Sequence, residues 1–139
     1  MAHFSDDQLI AIAQQFHDIS DSIKQFRLDR IGEGVPLNDP GIVQLLGLQV
    51  GLANTSSSFY IEAAKITLAD ADQATAQIAA ATKQANAAIK NLQVVNRVIS
   101  IASAAGVLAT AIMTGDMNQI GSAAKDVYTA ISSTGAAGN

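Results

Sequence analysis

The chain has 139 residues, a formal net charge of −4, and neither cysteine nor tryptophan. That length supports one domain with a core of its own. The missing cysteine excludes disulfides and thiolate metal sites. The acidic balance argues against nucleic acid, whose phosphates need a basic face, and aromatics at 4% leave base stacking poorly provided for.

The charges are unevenly placed. Residues 1–39 hold seven acids and three bases, half of the twenty charged residues in the chain. Two stretches, Pro40 to Ile61 and Val98 to Gly115, carry no charge at all. Soluble domains spread charge over their exposed faces, so such stretches are either buried or offered to a membrane or another copy of the chain.

The first helix is expected over about residues 5–30. Ser5 with Gln8 three residues on forms a capping box, and Phe4 and Leu9 occupy the hydrophobic-staple positions around it. Asp6 and Asp7 suit the positive end of the helix dipole; Lys24, Arg27 and Arg30 suit the negative end. Leu9, Ile12, Phe16, Ile19, Ile23 and Phe26 alternate spacings of three and four, a heptad seam. Gly32, Gly34 and Pro36 end it.

Asn38 or Asp39 then caps a second helix with Pro40 at its first position. This helix is apolar nearly all round (Ile42, Leu45, Leu46, Leu48, Val50, Leu52), and Gly47 and Gly51, four apart, predict a close helix contact within the bundle. A break is expected at Thr55-Ser56-Ser57-Ser58. From Phe59 to about Asn96 there is no Gly or Pro and alanine dominates, which predicts a long helix. Its seam of Ile78, Ala81, Ala85, Ala88, Leu92, Val95 and Ile99 continues in phase through Ala102, Gly106, Ala109 and Met113. Unbroken, it is about 80 Å long at 1.5 Å per residue, too long for this domain, so a bend or loop is expected within 96–104. Asp116 with Gln119 marks a last helix, with Met117, Ile120, Ala124, Val127 and Ile131 on its seam. The whole predicts an all-α, antiparallel bundle of four to five helices around a long Ala-rich central helix. It forms a single domain over 1–131 with a disordered small polar tail at 132–139.

Chemistry is thinly represented. His17 and Asp21 stand one helical turn apart with no second strong ligand nearby, and they read as a solvated pair; Asp18 shares their face. Ser122 and Lys125 make an S-x-x-K without its companion motifs. Asp116-Met117-Asn118 resembles the start of a calcium loop, but position twelve is Val127. Gly32-Glu33-Gly34 lacks the strand and lysine of a phosphate loop. Asn54-Thr55-Ser56 is a formal glycosylation sequon. No catalytic residue, metal site or cofactor is expected, and the chain is read as non-enzymatic.

The expected function is protein–protein interaction or assembly, with Gly47, Gly51, Ala81, Ala85, Ala88, Ala102 and Gly106 as candidate helix-packing positions. The composition is similar to that of bacterial exported helical proteins that assemble or act on membranes, a similarity that no family motif accompanies. The N-terminus has no basic, then apolar, leader, so the expected location is cytoplasmic or reached by a signal-peptide-independent route. The partner is a protein or the chain itself, with a monomer expected in dilute solution. One alternative is a latent membrane-active protein using 98–115, a stretch near the lower length limit for a span and weakened by Ser100, Ser103 and Thr110. Another is a small cytosolic enzyme or ligand carrier.

Overall fold

In the computed structural model, which describes residues 2–137 and side chains as far as Ser132, the chain forms five helices. These are α1 (Asp6–Gly32), α2 (Pro40–Ala63), α3 (Ala71–Asn91), α4 (Val95–Thr114) and α5 (Met117–Ala137). Around the bundle the order is α1, α2, α4, α5, α3, closing back on α1. α4 also touches α3 and, more lightly, α1, so it meets every other helix.

Named contacts fix the directions. Gln8 bonds Asp72 near the starts of α1 and α3, and Arg30 reaches Gln93 beyond their ends. Gly41 lies against Val95 at the starts of α2 and α4. Gln49 and Ser56 of α2 meet Ser20 and Ala13 of α1, so α1 and α2 are antiparallel, while α1 with α3 and α2 with α4 are parallel neighbours. The only β-bridge among the described residues pairs Ala2 with Leu68, through two bonds of 2.7 Å.

α1 starts as its sequence dictates. The Ser5 side chain accepts from the Gln8 amide at 3.1 Å, and the Gln8 side chain returns to the Ser5 amide at 2.9 Å. All six predicted seam residues are buried, as is Phe4. Phe59 joins them, with its ring centroid 6.3 Å from that of Phe4 and 6.2 Å from that of Phe16. Asp39 caps α2, accepting from the Gly41 and Ile42 amides.

The expected break at Thr55–Ser58 does not occur. Thr55, Ser57 and Ser58 turn their hydroxyls onto the carbonyls of Gly51, Ala53 and Asn54, four residues back, and the helix runs on. Ser56 instead donates to the Ala13 carbonyl of α1 at 2.7 Å, and burial of Phe59 and Ala63 carries α2 to its end. The chain breaks later, over the seven residues between Ala63 and Ala71. There Leu68 is buried and paired to Ala2, and Asp70 caps α3 by accepting from the Gln73 amide at 3.0 Å.

The break expected within 96–104 comes earlier, at Leu92, Gln93 and Val94. Arg30 of α1 donates to the Gln93 carbonyl at 2.9 Å and holds this segment extended. The continuous seam is consequently cut. Ala81 and Ala85 are buried and Ala88 only partly, because the core line shifts to Ile89. Beyond the reversal the core line is Val98, Ile101, Ala102, Ala105, Leu108, Ala109 and Ile112, leaving Ile99, Gly106 and Met113 at its flank.

Gly115 closes α4 at φ +69°, where a Cβ would lie 2.8 Å from the Thr67 carbonyl oxygen. No side chain fits that conformation without strain. Asp116 then caps α5, accepting from the Asn118 amide at 2.8 Å. Ile120, Ala123, Ala124 and Val127 are its buried face. The α5 backbone is helical to Ala137, past the start of the tail expected at 132–139. Side chains after Ser132, and Gly138 and Asn139 altogether, lie outside the described residues.

Candidate functional site

The two charge-free stretches of the sequence become neighbours in space. One is nearly all of α2 and the other nearly all of α4, and these helices pack side by side in the same direction. Along these two helices charges stand only at the ends, Asp39 and Arg97 where both start, Glu62 and Asp116 where both finish, and Asp126 of α5 lies in the cleft beside Val107 and Thr110. The charged side chains between those ends belong to α1, α3 and α5.

The outer face of α2 and α4 is apolar without being covered. Val43, Leu46, Val50 and Ile61 of α2 are 53%, 41%, 46% and 68% exposed, while Val107 of α4, 53% exposed, lines a cleft against α5. The polar groups among them are already bonded. Ser100 and Thr110 donate to the carbonyls of Asn96 and Gly106, each at 3.2 Å, as Thr55, Ser57 and Ser58 do on α2. A hydroxyl that donates to its own helix gives up little when water is removed from it.

Gly47 and Gly51 lie on this face, exposed, and a Cβ built on either meets nothing within 4 Å. The close contact inside the bundle expected of them is absent. α2 buries Ile42, Leu45, Leu52, Phe59 and Ala63 on its opposite side, and that turns both glycines outward. Gly106 likewise has open space above it. Of the candidate packing positions, Ala81, Ala85 and Ala102 are in the core and Ala88 is beside it, while Gly47, Gly51 and Gly106 open on or beside the α2/α4 face. Leu46 and Val50 count among the apolar residues of the second helix in the sequence, but nothing there marks them, or Val43 and Ile61, as outward-facing. A helix apolar on every side does not declare which side faces out.

The opposite side of the molecule is polar. α1 and α3 are joined by Gln8 to Asp72 (2.7 Å), Thr82 to Gln15 (2.7 Å), Ser22 to Asn86, and Arg30 to the Gln93 carbonyl (2.9 Å). Gln8, Gln15 and Ser22 are seven residues apart, so one heptad position of α1 is given to hydrogen bonds that fix its register on α3. Where these helices end, a groove of about 890 Å³ opens between them, edged by Asp18, Asp21, Asp29, Lys90 and Asn91 over Phe26 and Ile89. Asp18 and Asp29 accept from Gln14 and Gln25 one turn away, and Arg30 lies 4.9 Å above the Phe26 ring. The groove brings together exposed carboxylates and amides, with no hydroxyl held against a base.

The chemical candidates fall apart in space. His17 and Asp21 are 3.3 Å apart, both side chains at least half exposed, on the outside of α1. His3 is at the N-terminal bridge, with Nδ1 3.0 Å from the Ile66 carbonyl oxygen. Ser122 lies in a shallow cleft between α4 and α5 with Gln119 and Asp126, and Lys125 is exposed outside it. Asp116 is occupied as a helix cap. Among the described residues, Tyr60 has its hydroxyl held above its ordinary value of 10.0 by the charge of the Asp6 carboxylate and a hydrogen bond to it. Comparison with known proteins finds no family model, no curated protein and no solved structure that matches this chain.

Proposed function

We propose that this protein is a non-catalytic helical bundle that works by protein–protein interaction or assembly through the α2/α4 face. The observation that carries the reading is the gathering of the two charge-free stretches into one exposed surface. Contiguous apolar surface on a soluble domain marks an interaction site more often than a random feature. The absence of charge from its centre matches the depletion of charged residues in interface cores. The α1/α3 side, with its polar groove, supports solvation instead.

The test uses a photo-crosslinking residue placed in the full chain, in the cell that makes it, at Val43, Val50, Gln14 or Gln84. The last two are exposed on α1 and α3. Protein adducts from Val43 and Val50, and not from Gln14 and Gln84, are expected. Adducts at all four positions alike, or at none, overturn the reading.

A second reading has its own observation. α4 is the one described helix long and apolar enough to cross a membrane, and 44% of its most apolar window is buried. A latent membrane-active role would require α4 to leave α5, α3 and α2. The two readings part on whether vesicles capture the folded protein.

A further inference from the structure

The reversal at Leu92, Gln93 and Val94 has no local cause. The turn after α1 has Gly34 at φ +105° and Pro36, the turn after α4 has Gly115 at φ +69°, and α3 starts on the Asp70 cap. From Ala71 to Ala105 there is neither Gly nor Pro. Leu92 and Val94 are extended, at ψ 156° and 122°, although leucine and glutamine are good helix formers. α4 then begins without a side-chain cap. A reversal leaves the last carbonyls of α3 and the first amides of α4 without helical partners, and a continuous helix would pair them with one another.

What holds the reversal comes from other helices. Arg30 of α1 donates to the Gln93 carbonyl at 2.9 Å while it lies over the Phe26 ring and bonds Glu33. Val95 occupies the space that a side chain on Gly41 of α2 would need, with its Cγ1 2.6 Å from the place of a Cβ there. Gln93 and Val94 themselves are exposed, so burial does not fix them.

We propose that Leu92–Val94 is a hinge with a second, helical state, in which α3 and α4 become one helix and the α4–α5 hairpin is exchanged with that of a second copy. Fused, Ala71–Thr114 is about 66 Å long at 1.5 Å per residue, which carries the hairpin clear of its own bundle. Val98, Ile101, Leu108 and Ile112 of α4, with Ile120 and Val127 of α5, then lose their cover. The place vacated in a second copy offers identical cover, so mutual exchange restores the contacts of the bundle. Two closed monomers and one exchanged dimer therefore bury the same apolar surface. They differ at the hinge, where helical bonds replace the Arg30 contact, and in the cost of bringing two copies together. Dilution favours the closed monomer; concentration and release of Arg30 favour exchange. The α2/α4 face plays no part in this, since the same residues lie outside in both forms.

The experiment uses the full chain, unfolded in urea, refolded at near-millimolar concentration and diluted to low micromolar before sedimentation. A dimer made by exchange resists dilution, because coming apart requires the bundle to unfold. The wild type is compared with Arg30→Met, which keeps an apolar stem over Phe26 and removes the donor, and with Gln93→Pro. Leu92 already has the extended backbone that precedes a proline, whereas proline at 93 in a fused helix clashes with the Ile89 carbonyl. Circular dichroism checks that each variant is folded. Because the protein has no cysteine, Gln84→Cys and Val107→Cys together place two spin labels. Refolded with an excess of unlabelled protein, each labelled chain reports its own distance. The labels are about 35 Å apart along a fused helix at 1.5 Å per residue, and much closer across the touching α3 and α4 of the closed bundle.

The wild type should give a minor dimer that survives dilution, Arg30→Met at least threefold more of it, and Gln93→Pro none. Labels in the dimer should report the long distance. The inference is overturned by the absence of such a dimer from both the wild type and Arg30→Met, by a Gln93→Pro that forms it as well as the wild type, or by dimer labels at the monomer's distance. Should Arg30→Met fail to fold, absence from the wild type alone overturns it. The in-cell adducts from Val43 and Val50 test the α2/α4 face separately, so either reading can fail without the other.

Discussion

Two neighbouring residues of α3 show how sharply position decides the effect of a substitution. Ala85 is fully buried, while Gln84 beside it is exposed. Leucine at 85 adds apolar surface, but it must enter space already filled by packed helices, and overpacking costs about 1–3 kcal/mol. Thermal or urea unfolding should therefore show a clear loss for Ala85→Leu and almost none for Gln84→Leu. Equal shifts would mean that the two faces of α3 are assigned the wrong way round. Tyr60 offers a second check at this scale. The Asp6 carboxylate raises its phenol above 10.0, so the folded state holds that proton more tightly than the unfolded chain does. This contribution to stability is present below the unfolded value and is lost as pH rises through the folded one. In a Tyr128→Phe background, phenolate absorbance should titrate late, and Asp6→Asn should move the midpoint down towards 10.0. A midpoint unmoved by Asp6→Asn would show that the carboxylate is not the cause.

Every helix but α4 starts on a capping side chain, and Asp70 is the case that matters most for the element order. It accepts from the Gln73 amide at the head of α3, in a segment with neither Gly nor Pro. Asp70→Ala should destabilise the fold by about 1 kcal/mol, the usual loss for a deleted cap, measurable as a lower urea midpoint with unchanged slope. The same residue explains what could be read in advance. α1, the start of α2 and the start of α5 were legible because their caps stand beside a Gly, a Pro or a clean seam. The Asp70-x-x-Gln73 pair was an equally good signal, masked by alanine-rich sequence that favours helix on both sides. The serine cluster misled in the other direction, since hydroxyls that return to their own helix look the same in sequence as hydroxyls that cap a new one. The turn at Leu92–Val94 had no local signal, because what holds it is Arg30, more than sixty residues away. The candidate face was half legible. Its lack of charge and its glycine pair are plain in the sequence, but the outward aim of Gly47 and Gly51 depends on which side of α2 meets α1 and α4.

At the scale of the whole molecule, α2 and α4 are held by different partners to one purpose: each buries one side in the bundle and leaves the other uncharged. α4 is the more constrained, since it touches all four other helices and contributes Val98, Ile101, Leu108 and Ile112 to the core. Inserting it into a bilayer means exposing those residues' contact surfaces on α3 and α5, each buried aliphatic side chain accounting for about 1.5–3 kcal/mol. It also means carrying Ser100, Ser103 and Thr110 into hydrocarbon. Docking of a protein partner on the folded bundle asks for neither. The folded protein should accordingly leave dye-loaded anionic vesicles intact at neutral pH and remain in the supernatant when they are pelleted. Dye release at concentrations where the protein is still monomeric would show that α4 leaves the bundle more readily than its packing implies, and would favour the membrane reading over assembly.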